Sequence, residues 1–283
     1  MRLLNKSQFV LTLLASFLVA CNQHQADMNA VAHNNVKQSG ESKNQNSHPP
    51  VPSPAITPTP ELEVTFGKGL KIVPREVKLE NQKRRYKIDV IYPQIEGIKH
   101  PRILSLNNEI RRLATEQYSW LLNSTEPLTH SLYKHPDVNN TVDLDYEISM
   151  ATDELLSIYF EAYSYGVGAA HSVQHSFTVN YDFKSHRLLK LADIFKSNEN
   201  HLQFISQYCT DGLAKRNQFL SEDYLAPKAK NYQSWDITKE GVRIHFDACT
   251  VFACSEGKQV AAIPFTVLKD KLNPNSPIIL YAK

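Results

Sequence analysis

His171 and His175 form a His-x-x-x-His pair. On a helix that spacing puts both imidazoles on one face, but on a strand it holds them about 13 Å apart, beyond the span of one metal ion. The residues around them alternate as a strand does, and no glutamate follows His171 as the zinc-protease pattern requires. No metal or other cofactor is therefore assigned. His171 alone, at a loop end beside Glu161 or Asp182, suits either a structural hydrogen bond or contact with a ligand. Ser131-Leu132-Tyr133-Lys134 fits the Ser-x-x-Lys pattern of penicillin-interacting serine enzymes, yet the companion Ser-Asp-Asn and Lys-Thr-Gly motifs are missing from the sequence. A Gly-x-Ser-x-Gly elbow and a phosphate-binding glycine motif are missing too. The scattered acids show no pairing that fits acid–base work. Catalysis has little to rest on, and a chain without enzyme activity is expected.

The aromatic residues are a better lead. Tyr159, Glu161 and Tyr163 alternate on the side of their strand opposite Phe160, and Tyr165 enters the following loop. Tyr232 and Trp235 precede a later hairpin. Rings on a solvent-facing sheet stack on sugars or anchor a protein partner. Covered by a helix or by the tail, the same rings are core. Tyr159, Tyr163, Tyr165, His171, Tyr232 and Trp235 are the candidate ligand contacts.

Cysteine usage and the amino terminus bear on where the chain works. Arg2 and Lys6 precede the apolar run Phe9 to Ala20, which is too short for a permanent membrane helix and right for a signal sequence. Leu18-Val19-Ala20-Cys21 resembles the bacterial lipobox, and that resemblance implies cleavage before Cys21 and its lipidation. Several acyl chains on one residue make a stable anchor. Asn22 follows instead of Asp, so the outer membrane, facing the periplasm, is the expected destination. Residues 1–20 carry two of the 31 basic side chains and no acid, leaving 29 against 29 acids. A formally neutral body gives no electrostatic case for nucleic acid. Cys249 and Cys254 are close enough to staple a local loop, worth about 2 kcal/mol by the chain-entropy model. A bridge from Cys209 to either of them, or no bridge at all, are the alternatives.

The elements that must position these residues follow from composition and period. Residues 22–60 lack aromatics and are dominated by Asn, Gln, Ser, His and Pro, as in a disordered, proline-rich tether (21–61) whose stiffer part spans roughly 40 Å. Strands are expected at Leu62 to Phe66, Leu70 to Val73 and Arg84 to Tyr92, the last stopped by Pro93. The spacing of Ile103, Leu106, Ile110, Leu113 and Leu121 predicts an amphipathic helix over 103–122. Three strands follow between Val142 and Phe183. In the third, Val173, His175, Phe177, Val179, Tyr181 and Phe183 oppose a wholly polar row, which predicts an antiparallel sheet with one covered and one wet face. A second helix is expected over 198–219 with Asn198 as its cap. A hairpin pairs Trp235–Ile237 with Val242–Phe246, Val260 to Ile263 is a strand, and Pro264 opens a helix through Leu268. The class is α+β: antiparallel sheets packed against two long helices, in two contiguous subdomains, 62–141 and 142–283.

Several segments in order carry a family resemblance. They are Val90-Ile91-Tyr92-Pro93-Gln94-Ile95, Leu106-Asn107-Asn108-Glu109-Ile110, Gly166-Val167-Gly168-Ala169-Ala170-His171, Tyr181-Asp182-Phe183, Leu191-Ala192-Asp193-Ile194-Phe195 and Val260-Ala261-Ala262-Ile263-Pro264-Phe265. Together they resemble the extracytoplasmic domains of RsiV-type anti-sigma factors and the N-terminal region of PdaC-type peptidoglycan deacetylases. The resemblance implies a cell-envelope sensing or binding domain, with peptidoglycan or a lysozyme-like protein as ligand. Neither deacetylation nor signalling comes with it. The competing expectations are a structural or assembly lipoprotein and an envelope hydrolase.

Overall fold

The computed structural model describes residues 64–66, 69–97, 100–123, 139–216 and 220–282. The leader, Cys21, the tether and the Ser131-x-x-Lys134 match lie outside the described residues.

Alternating apolar and polar residues build the larger of two sheets, whose seven strands lie in chain order: β1 (Val64–Phe66), β2 (Leu70–Asn81), β3 (Tyr86–Glu96), β4 (Asn140–Ala151), β5 (Leu155–Tyr165), β6 (Val173–Asp182) and β7 (Arg187–Leu188). The apolar stripe between β3 and β4 becomes helix α1 (Pro101–Asn123), which buries Ile103, Leu106, Ile110, Ala114, Tyr118 and Leu121. These meet Ile88, Val90, Val142, Leu144, Ile158, Phe160 and Val179 from one face of the sheet in a first core.

Two expectations about this half need correction. The sheet is not purely antiparallel. Because α1 carries the chain back across it, β3 and β4 pair parallel, from Tyr86 opposite Asn140 to Val90 opposite Leu144. The sheet is thus continuous across the expected boundary at 141/142. Nor does Pro93 end β3. It faces Pro74 of β2, at a point that neither β1, paired at 70–72, nor β4, paired at 86–90, reaches. No neighbouring strand needs the amides these prolines lack. Just beyond, the Asn107 side chain of α1 takes the place of a strand: its Oδ1 accepts from the Ile95 amide at 2.8 Å and its Nδ2 donates to the Ile95 carbonyl at 2.8 Å.

A second, three-stranded antiparallel sheet has the order β10-β9-β8, from β8 (Trp235–Ile237), β9 (Gly241–Phe246) and β10 (Gln259–Pro264). Gly241 pairs with Pro264 so closely that a Cβ would lie 2.1 Å from the Ile263 carbonyl oxygen, which demands glycine. Helix α2 (His201–Ala214) is shorter than the 198–219 expected, and Asn200, not Asn198, caps it by accepting from the Gln203 amide. Short helices α3 (Glu222–Leu225) and α4 (Phe265–Leu268) complete the set among the described residues, with Pro264 as the cap of α4. Ile205, Cys209 and Leu213 of α2 join Trp235, Ile237, Ile244, Ile263 and Leu268 in a second core, to which β4 and β5 contribute Met150 and Leu155. The α+β class holds, with one long helix per core and a large sheet shared between the two.

Candidate functional site

The polar rows of β5 and β6 share the face turned away from α1, and the small sheet sits on it. Ser157 and Asn180 face each other across the β5–β6 pair and both are buried. Ser157 Oγ donates to Asn180 Oδ1 at 2.6 Å and accepts the Ile237 amide at 2.8 Å, while Asn180 Nδ2 donates to the Trp235 carbonyl at 2.8 Å. Thr178 Oγ1 accepts the Trp235 amide at 3.3 Å. The three bonds to Trp235 and Ile237 satisfy backbone groups of β8 that the β8–β9 ladder leaves free. The face expected to be wet is an interface between two sheets.

Next to this seat lies a buried charged network. Asp236 and Arg243 oppose each other in the β8–β9 hairpin. The Asp236 carboxylate has no solvent exposure; it takes Arg243 Nε at 2.9 Å, His245 Nε2 at 3.0 Å and the Ser149 hydroxyl. Arg243 also reaches Glu147 at 3.0 Å. Ser149 lies where the β4–β5 register shifts, and such a bulge re-aims a side chain. Burial works against the charged carboxylate, but the bonds from Arg243, His245 and Ser149 outweigh it and hold the Asp236 pKa at about 2. The Tyr159 ring stacks on His245 with centroids 4.2 Å apart. An aspartate–histidine pair is familiar from general-base catalysis, but this one is covered by the large sheet. Its chemistry here is to fix the hairpin on that sheet.

Three of the six aromatic and histidine candidates are thereby corrected. Tyr159 is only 6% exposed beneath the small sheet, and Trp235 (4%) and Tyr232 (1%) belong to the second core. The Tyr232 hydroxyl donates to the Leu225 carbonyl at 2.5 Å. Tyr159 is covered by the small sheet, and Trp235 and Tyr232 by the residues of α2 and α3 that share their core.

The other three stay accessible and gather at one end of the large sheet. Tyr163 and Tyr165 continue the Tyr159 row beyond the reach of the small sheet and are half-buried. Burial, then the neighbouring Glu161 carboxylate, pushes the Tyr163 hydroxyl up to about 12. Between β5 and β6 the loop holding His171 is fixed by the Val167 amide on Asn140 Oδ1 at 2.8 Å, with His171 exposed. Glu161 receives Lys258 at 2.8 Å and Gln174 at 2.7 Å, and Gln174 Oε1 accepts the Ala248 amide at 2.9 Å. Asp247 accepts both the amide and the hydroxyl of Ser176, at 2.9 and 2.6 Å, and approaches His175 Nδ1 at 3.2 Å. Beside this edge of β6 is an open groove of about 380 Å³, lined by hydrogen-bonding groups that include His175, Asp247, Lys230, Asn231 and Gln233. Ser176, Asp247 and His175 are no nucleophilic triad, since the carboxylate stands between the serine and the imidazole. Cys249 and Cys254 are joined by a disulfide at this same end, and Cys209 is a buried free thiol.

Sequence reasoning passed over Asp236, Arg243, His245, Asp247 and Lys258. One signal was available: once Trp235–Ile237 is paired with Val242–Phe246, Asp236 falls opposite Arg243.

Comparison with known proteins finds two family matches along the chain. Residues 79–174 match the family described as deacetylase PdaC, and residues 192–266 match a family described as a protein of unknown function (DUF3298). The peptidoglycan-N-acetylmuramic acid deacetylase PdaC of Bacillus subtilis is 27% identical over 199 residues, which cover 69% of this chain and 40% of that protein. The chain thus spans less than half the length of this relative. Crystal structures of DUF3298 family members from Bacteroides fragilis and Pseudomonas aeruginosa each give a TM-score of 0.49. They share 14% and 16% identity, cover 75% and 73% of this chain, and are themselves covered to 97% and 94%. A PdaC-like domain and a DUF3298 domain are therefore both present, and the chain is related to a cell-wall protein.

Proposed function

We propose that this chain is a non-catalytic binding module of the cell envelope, held to the outer membrane by lipid on Cys21, and that its ligand is peptidoglycan. One observation carries the reading. The ionisable cluster best suited to acid–base chemistry, Asp236 with His245 and Arg243, is locked between two sheets, whereas Tyr163 and Tyr165 stay partly accessible at the sheet end and a separate open groove along β6 is lined by hydrogen-bonding side chains. Rings with polar rims suit the faces and hydroxyls of sugars. The relation to a peptidoglycan deacetylase supports the choice of ligand. Deacetylation itself is not proposed, because the chain spans 40% of that enzyme.

Co-sedimentation of the purified full chain with peptidoglycan sacculi tests the proposal. Wild-type protein is expected in the pellet, and Tyr163→Ala with Tyr165→Ala is expected to lose about 1 kcal/mol or more of affinity. Retention on immobilised lysozyme without retention on sacculi would transfer the binding role to a glycan-cleaving protein. Binding to neither would remove it. A Cys21→Ser chain is expected in the soluble fraction; if it stays with membranes, the anchor assignment fails.

A further inference from the structure

The disulfide does not stand alone. A ring nitrogen of His171 and the sulfurs of Cys249 and Cys254 all lie within 4.8 Å of one another, the one group of three metal-ligating side chains this close among the described residues. Several contacts hold the two loops together. Gln174 binds the Ala248 amide and Asp247 binds Ser176, which fixes the start of β6 against the chain leading into Cys249. Glu161 with Lys258 closes the far side. His171 Nδ1 lies 2.9 Å from the Ser172 carbonyl oxygen, a partner that can only accept, so Nδ1 is the donor and Nε2 is the nitrogen left for a metal. A metal-binding histidine is normally oriented in this way, one nitrogen donating to a carbonyl and the other facing the ion. His171 and Cys254 are exposed, so an ion has a path from solvent.

We propose that Cys249, Cys254 and His171 form a thiol-gated site for a borderline-to-soft divalent cation of the zinc class. With the disulfide closed the site has one ligand and no affinity. A dithiol reductant opens it by exchange: its two sulfurs become a disulfide, and its two electrons and two protons pass to Cys249 and Cys254. Zinc then displaces both thiol protons and binds two thiolates and Nε2, leaving a fourth position for water. Zinc bonds of about 2.3 Å to sulfur and 2.0–2.1 Å to nitrogen put tetrahedral ligands roughly 3.5–4 Å apart, so a group of ligand atoms within 4.8 Å of one another closes on the ion by a shift of about 1 Å and a turn of the imidazole. The thiol of Cys209 is buried and does not compete.

The full chain, oxidised or reduced and then freed of reductant, is titrated with cadmium while the sulfur-to-metal charge-transfer band is followed. One ion per reduced chain and none per oxidised chain is expected. Cys249→Ser should abolish the band, and His171→Ala should weaken binding by about tenfold or more, at least the cost of losing an outer-shell partner. Uptake by the oxidised chain, no uptake by the reduced one, or an unchanged affinity in His171→Ala overturns the proposal. Where reduction loosens the fold, maleimide labelling read by mass spectrometry decides. Zinc should protect both cysteines in the wild type and not in His171→Ala; equal labelling in the two overturns the site.

Discussion

Towards α1, strands β5 and β6 present Ile158, Phe160, Ala162 and Val179, all buried among aliphatic and aromatic partners. Towards the small sheet the same strands present Ser157, Thr178 and Asn180, each engaged with a backbone group of β8. Apolar burial is non-directional and proportional to area, so it stabilises without fixing a partner's position closely. Hydrogen bonds from side chains to backbone add little net energy, but a slip of one residue leaves every donor and acceptor unmatched and buried. One face therefore supplies most of the stability, and the other sets where β8 lies. The Asp236 network belongs to the second kind: a buried charge whose pairing matters most when it is broken.

The contrast can be broken most directly at its two centres. Phe160→Ala and Asp236→Ala should each cost about 3–5 kcal/mol in urea unfolding, the first by opening a cavity and the second by leaving Arg243 and His245 without their carboxylate. If Asp236→Ala costs no more than a surface replacement, the network does not seat the hairpin. A difference in pH dependence should then separate the faces. The Asp236 carboxyl sits at about 2 against an ordinary 3.8; burial opposes this, and the bonds from Arg243, His245 and Ser149 overcome it. A depressed folded value stabilises above the unfolded one, so on the order of 2 kcal/mol is present above pH 3.8 and is lost as pH falls through about 2. Subtracting the Asp236→Asn profile isolates this loss, and Phe160→Ala should show the wild-type slope. Ser157→Ala comes next, at about 1–3 kcal/mol, because it strands the buried Ile237 amide. Faster hydrogen exchange at Ile237 than at Val242 would mark the effect as local. Smallest is Lys258→Ala at the exposed sheet end, within about 1 kcal/mol, since Lys258 and Glu161 are both partly solvated.

Much of the first face was legible in the sequence. The 3.6-residue period of Ile103 through Leu121 places α1 within two residues at either end, and the two-residue period of β6 is visible in its side chains alone. The second face was not. A polar row reads the same whether water or a backbone strand receives its hydrogen bonds, so nothing local in Ser157, Thr178 or Asn180 separates a wet face from the seat of β8. Tyr159 looked exposed for the same reason. Trp235 and Tyr232 were misplaced because the residues that cover them come from α2 and α3 and the strands beyond, and no local pattern announces such packing. Pro93 misled because β2 runs on past Val73 through Pro74 to Asn81, so the two prolines meet in the ladder at a point no other strand reaches. At the sheet end, the loop glycines and His171 were visible, but their nearness to Cys249 and Cys254 depends on the docking of the small sheet.

The parallel pairing of β3 with β4 bears on how the chain reaches this state. The β2–β3 hairpin and the β4–β5–β6 meander are local and can each form early. Joining them requires Tyr86 to find Asn140 with α1 between, a long-range closure that must lose chain entropy before contacts reward it. Until then β3 has an open edge and α1 an uncovered apolar stripe, the combination that makes partly folded chains associate. Docking of α1 should therefore be the slow step in refolding, and replacements on its buried face, such as Ile110→Val, should slow folding more than they speed unfolding.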